Sequence, residues 1–79
     1  MATLLRLPEV EKQTGIKRST LYLRQLAGLF PRPVAIGPRA VAWPQHEIDA
    51  INKARIAGQT DDEIRALVAR LIAARKGAA

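Results

Sequence analysis

The residues best suited to chemistry are basic and hydroxylated, and they lie together in the segment TGIKRSTLYLRQ, residues 14–25. Lys17, Thr20 and Arg24 recur at i, i+3 and i+7, which places them on one face of a helix. Lys and Arg donate hydrogen bonds to phosphates and guanine edges, and Thr contacts phosphates or thymine methyl groups. This predicted basic face therefore favours contact with duplex DNA in the major groove.

Lys17 and Arg18 lie at the start of this predicted helix, where unpaired N–H groups and the positive end of the helix dipole favour acidic or capping side chains. A DNA phosphate bound there would supply the negative charge, and Ser19 and Thr20 would add hydroxyl contacts to the same DNA backbone. The alternative interpretation is a basic, solvated face with no partner.

No set of titratable residues in the chain is typical of an enzyme. The chain has no cysteine and one histidine, His46, so thiolate metal sites are excluded and a zinc or general-base cluster is not expected. Glu9 and Glu11, like Asp61 and Asp62, suit the electrostatics of helix starts. The sequence therefore predicts no catalytic residue, no metal, no cofactor and no small-molecule ligand.

The net charge of +6 is concentrated in the first half of the chain. Residues 1–43 carry a net charge of +5 and residues 44–79 a net charge of +1, and no acidic residue lies between Glu11 and Glu47. Such a segment attracts polyanions, although charge alone does not separate DNA from RNA or from an acidic protein.

The chain has neither the long apolar centre of a signal peptide nor an apolar stretch near the ~20 residues that cross a bilayer. Together with the lack of cysteine, this predicts a cytoplasmic protein without a membrane partner.

The elements that must position the basic residues begin with two short helices. Pro8 suits the first turn of the first helix, and Gly15 ends it. The second helix stops at Gly28, so the pair is joined by a tight turn at Gly15. On the second helix, the side opposite the basic face is predicted to enter the core, and it comprises Tyr22, Leu26 and Leu29.

Residues 34–43, VAIGPRAVAW, predict a two-stranded hairpin with Arg39 at its tip. Arg32 and Arg39 flank it and would reach an adjacent minor groove or phosphates, although Arg39 also suits an ordinary turn. The hairpin face expected to pack on the helices comprises Val34, Ile36, Val41 and Trp43. The three aromatic residues, Tyr22, Phe30 and Trp43, are all expected in the core, which weighs against RNA binding.

Two further helices follow the hairpin. Pro44 opens the third, which Gly58 closes, and Thr60 to Glu63 form a capping box for the fourth. The fourth helix carries an apolar stripe of Ile64, Leu67, Val68, Leu71 and Ile72. We expect a DNA-binding domain over residues 1–58 and, over residues 59–79, an amphipathic helix with a frayed tail that either completes the core or forms a dimer seam.

These motifs resemble the AlpA family of phage and prophage regulators, small relatives of MerR-type winged-helix domains and of excisionases. The resemblance spans about residues 4–57, where TG-hydrophobic-x-RST-hydrophobic-Y, FPRPV and G-x-RAV-x-W occur in the expected order. It implies a mainly α, winged helix-turn-helix fold in which the second helix reads DNA and the hairpin is the wing.

The resemblance also implies site residues. Arg18, Ser19, Thr20 and Tyr22 occupy the RST-x-Y positions, and Arg39 lies in the wing motif. The chain departs from the family pattern in having Lys17 where Ser is frequent, and Leu23 where Arg is common, with Arg24 as the substitute. The predicted DNA-binding residues are Lys17, Arg18, Ser19, Thr20, Tyr22, Arg24, Arg32 and Arg39.

The function predicted is a sequence-specific, double-stranded DNA-binding transcription regulator of phage, prophage or mobile-element type, with a homodimer possible. An excisionase-like factor that bends DNA is the alternative within the same fold. An RNA-binding or protein-interaction adaptor is the alternative of a different class.

Overall fold

The computed structural model of the protein describes residues 3–76, which form four helices and three short strands. The elements are β1 (Leu4–Leu5), α1 (Leu7–Thr14), α2 (Arg18–Leu26), β2 (Val34–Gly37), β3 (Ala40–Pro44), α3 (Gln45–Ile56) and α4 (Asp61–Arg75). This order confirms the mainly α fold with a helix-turn-helix, a hairpin and two further helices. The tail predicted to fray lies largely outside the described residues. No helix within residues 3–76 is long and apolar enough to span a membrane.

The strand β1 was not expected from the sequence. It pairs with β3, placing Leu5 opposite Trp43, so the antiparallel sheet has the order β1-β3-β2. The Gln45 N–H also donates to the Thr3 carbonyl at 2.7 Å. Two residues are too few to show the alternation that identifies a strand. The consequence of β1 is that β3 is a central strand, covered on both edges.

The turn between α1 and α2 has the predicted geometry. Gly15 adopts a left-handed conformation with φ of 72°, and its N–H donates to the Glu11 carbonyl at 2.8 Å. This conformation is costly for residues with a Cβ atom, which explains the glycine that ends α1. The Thr14 hydroxyl accepts from the Ile16 N–H at 3.2 Å and fixes the chain leaving the turn.

The orientation of α2 differs from the prediction. Leu21 is its buried side chain, with 1% exposed, whereas Tyr22 is 60% and Leu26 is 69% exposed. The expectation that Tyr22 and Leu26 enter the core is wrong, although Leu29 does pack against it. The reason is that leucines lie on several sides of this nine-residue helix. The spacing of the apolar residues was therefore compatible with more than one buried face. In the folded protein the buried face of α2 is narrow and consists of Leu21.

The hairpin face also differs from the prediction. Trp43 is buried and Val34 is half-buried, but Ile36 and Val41 are exposed. Ala42, on the other side of the strand from Trp43, is fully buried. Near its base β3 packs against α1 and α3, where Ala42 and Trp43 are both buried. Beyond that point the hairpin extends away from the core, which leaves its apolar residues in contact with solvent.

The core is built around two aromatic residues, as expected for Phe30 and Trp43. Their rings meet edge to face, with centroids 6.2 Å apart, and the Trp43 indole N–H donates to the Pro31 carbonyl at 2.9 Å. A buried indole needs such an acceptor. Ile48 and Ile51, one turn apart on α3, add to the same cluster.

The helix α4 begins with the predicted capping box. Thr60 N–H donates to the Glu63 carboxylate at 2.9 Å, and Glu63 N–H donates to the Thr60 hydroxyl at 3.2 Å. Ile64 and Val68 are buried in the common core. The remaining residues of the stripe, which are partly buried, pack against the same cluster: Leu67, Leu71 and Ile72. The apolar stripe is therefore used within the chain.

Replacing Thr60 by Ala is expected to lower the free energy of unfolding by about 1 kcal/mol, because the cap is lost. The Thr60 backbone N–H, and then its hydroxyl, lower the pKa of Glu63. Thr60→Ala keeps the backbone N–H and removes only the share of this stabilisation that is due to the hydroxyl. That share is present above the ordinary carboxyl pKa and is lost as the pH falls through the lowered folded value, so the two proteins should differ less in acid. Urea unfolding of both proteins at several pH values tests this. A difference between them that grows in acid would contradict it.

Candidate nucleic-acid interface

The start of α2 receives its negative charge from within the chain. The Glu11 carboxylate accepts from the Arg18 backbone N–H at 2.8 Å. Glu11 thus takes one of the N–H groups that were expected to meet a DNA phosphate, and the contact of a phosphate with the side chains of Lys17 and Arg18 stays a prediction. Glu11 was assigned to the start of α1, but it lies in the second half of that helix, where the dipole disfavours an acid. An acid at that unfavourable position was the feature of the sequence that indicated a partner outside α1 for Glu11.

One side of α2 is fully open to solvent. At roughly 100° per residue, this α2 solvent face is centred on four exposed residues: Ser19, Tyr22, Leu23 and Leu26. Arg18 and Thr20, also exposed, flank it on either side. The first turn thus combines a guanidinium with two hydroxyl groups, all of which hydrogen-bond to phosphates and base edges.

The predicted basic face is only partly open. Lys17 and Thr20 are exposed, but Arg24 is half-buried. The buried Leu21 lies one turn from both Lys17 and Arg24, so these two basic residues border the core-facing side of the helix. The structure does not bring Arg24 into the α2 solvent face. Leu23 occupies that face instead.

The hairpin presents a second basic element. Pro38 and Arg39 form the turn between β2 and β3, and Arg39 is exposed at the tip. Arg32 is exposed just before β2. Seven of the eight predicted DNA-binding residues, all except Arg24, are therefore exposed. They lie on α2, on its N-cap, and on the hairpin and its leading segment.

The helix α4 connects the end of α2 to the base of the hairpin. Arg65 donates from Nε to the Ala27 carbonyl at 2.9 Å, where it satisfies the C-terminus of α2. Arg75 donates to the Arg32 carbonyl at 2.7 Å, next to β2. Ten residues of helix separate these arginines by about 15 Å. Through these two contacts, α4 holds both the C-terminal end of α2 and the segment that leads into the hairpin.

Arg75 also forms a buried ion pair that the sequence did not reveal. It donates from Nε and Nη2 to the two Glu47 carboxylate oxygens, at 2.8 and 2.5 Å. The Glu47 residue has no exposed surface, and the Arg75 side chain is 23% exposed. The partners lie on different helices and 28 positions apart, so neither periodicity nor spacing connects them. His46, beside Glu47, is exposed as expected.

Two helices joined by a glycine turn, followed by an antiparallel hairpin with an exposed basic tip, define a winged helix-turn-helix protein. Residues 3–56 match the family described as prophage CP4-57 regulatory protein (AlpA). The chain belongs to this family of phage regulatory proteins, which confirms the resemblance.

A relative from a phage extends this comparison. Over 55 residues the chain is 44% identical to the uncharacterized protein ORF88 of Enterobacteria phage P4. The matching segment covers 70% of this chain and 62% of ORF88. The family match ends at residue 56, in the last turn of α3. The helix α4, with its contacts to α2 and the hairpin, lies beyond it.

Proposed function

We propose that the protein is a sequence-specific regulator of transcription that binds double-stranded DNA. In this proposal α2 enters the major groove, and the β2–β3 hairpin, the wing, contacts the adjacent backbone or minor groove. The observation that carries it is the exposure of α2. This helix buries Leu21 alone, and its first turn presents Arg18, Ser19 and Thr20 to solvent.

The distribution of ion pairs supports the proposal. Among residues 3–76, the salt bridges are made by arginines of α3 and α4: Arg55, Arg65 and Arg75. The cations of α2 and the wing thus lack an acidic partner in this part of the chain. No acid lies between Glu11 and Glu47 in the chain, and Glu11 contacts α2 through the Arg18 backbone N–H, so basic residues outnumber acids on α2 and the wing. Such a surface suits the phosphates of a duplex.

Selection of bound duplexes from a random-sequence DNA pool tests the proposal. An enriched motif is expected, and its complex should persist at a salt concentration that dissociates a scrambled duplex. Equal binding of the enriched and scrambled duplexes, or a preference for structured RNA at the same salt, would contradict it.

The wing contact predicts a uniform loss of affinity. Arg39→Ala should weaken binding to the enriched and scrambled duplexes by a similar factor and reduce the salt slope by about one, because a phosphate contact carries no sequence information. Arg70→Ala is the matched control, since it removes the same charge from an exposed position of α4. Equal effects of the two variants would show that Arg39 contributes only its general charge.

A further inference from the structure

The α2 solvent face carries an apolar patch. Tyr22, Leu23 and Leu26 are 60%, 63% and 69% exposed, and they lie one turn or less apart. Single exposed leucines are ordinary, but neighbouring large apolar side chains on one face indicate an interaction surface. Tyr22 is among the predicted DNA-binding residues, but Leu23 and Leu26 have no role in the proposed contacts of α2.

The surroundings of the patch indicate which partner it fits. Lys17 and Arg18 are exposed at the beginning of the same helix, and their side chains form no salt bridge within residues 3–76. The Glu11 carboxylate lies at this helix start too, where it accepts from the Arg18 backbone N–H. An apolar surface beside unpaired cations suits a partner that is both anionic and locally apolar. The major groove of DNA has this chemistry, because thymine presents its C5-methyl group beside the phosphates.

We infer that Leu23, together with Tyr22, contacts thymine methyl groups in the major groove. The preferred duplex therefore carries A·T pairs at the positions that these side chains reach. Leu26 is the last residue of α2, whereas the earlier part of a recognition helix contacts the base edges, so Leu26 lies outside the inferred contact. This inference rests on the proposed function and names the chemistry by which α2 selects its sequence.

Replacement of thymine by deoxyuracil tests the inference, because it removes only the methyl group. Each thymine of the enriched motif is replaced in turn, and dissociation constants are measured at one salt concentration. For the wild-type protein, at least one replacement should weaken binding by about three- to tenfold, the effect of exposing one methyl-sized group. Leu23→Ala should bind the thymine duplex more weakly and should lose most of its discrimination against uracil there, since Tyr22 remains.

Leu26→Ala is the matched control, since it truncates an equally exposed leucine of the same helix. It should retain the preference for thymine. An enriched motif that tolerates uracil at every position, or a Leu23→Ala protein that keeps the preference, would overturn this inference and leave the proposed function intact. Failure to enrich any duplex would overturn both. Indifference to uracil with loss of a dimer in Leu23→Ala would assign the patch to a second copy of the chain.

Discussion

Replacing Arg75 by Met is expected to lower the free energy of unfolding by about 3–5 kcal/mol. The substitution keeps the length and apolar volume of the side chain but removes both hydrogen bonds to Glu47, whose carboxylate has no contact with solvent. It also leaves the Arg32 carbonyl without this donor. An unpaired buried charge costs far more than the pair itself contributes. Urea unfolding, followed by the fluorescence of the single, buried Trp43, measures the loss.

Two further variants separate the ion pair from a general effect of changing α4. Arg70→Met removes an exposed arginine from the same helix and should change stability by less than about 0.5 kcal/mol. The double variant Glu47→Met, Arg75→Met removes both charges and should recover much of the stability lost by Arg75→Met alone. If Arg75→Met lowered the free energy of unfolding as little as Arg70→Met, the claim that Arg75 neutralises the buried Glu47 carboxylate would be wrong.

Truncating Leu21 to Ala is expected to cost about 2–5 kcal/mol, because Leu21 is the side chain by which α2 enters the core. Leu26→Ala on the same helix should stay within about 0.5 kcal/mol, since Leu26 is 69% exposed. Both variants make the same chemical change, so their difference reports the orientation of α2. The measurement is again urea unfolding at one pH.

The comparison of these two leucines decides which side of α2 is available to a partner. If Leu26→Ala lowered the free energy of unfolding more than Leu21→Ala did, Leu26 rather than Leu21 would be the buried residue of α2. The helix would then present the predicted basic face, Lys17, Thr20 and Arg24, and the apolar patch would not exist.

Local signals in the sequence predicted the elements well. Gly15 marked the turn because glycine, which lacks a Cβ atom, adopts the left-handed conformation there at little cost. The capping box was recognisable because its two residues, Thr60 and Glu63, lie three positions apart. The stripe of α4 runs from Ile64 to Ile72 and follows the i, i+3, i+4, i+7, i+8 spacing throughout, which is enough to define one face of this 15-residue helix. Each of these features depends on neighbours along the chain, so one sequence was sufficient to predict it.

Features that depend on tertiary packing were missed. The rotation of α2 depends on how a short helix with leucines on several sides meets the core, and the sequence does not encode that choice locally. The contacts of Glu11 with Arg18, and of Glu47 with Arg75, join residues on different helices. At the candidate site, the existence of the helix and the hairpin was therefore predicted from the sequence, whereas the orientation of the helix was predicted incorrectly and the contacts from α4 were not predicted.

Chemical-shift mapping of the isotope-labelled protein, titrated with the duplex enriched from the random pool, shows whether α2 and the wing bind DNA. We expect the largest amide shifts in residues 17–26 and 34–41, with the solvent side of α4 around Arg70 unchanged. Large shifts confined to α4, with α2 and the wing unaffected, would contradict the claim that α2 and the wing form the DNA interface.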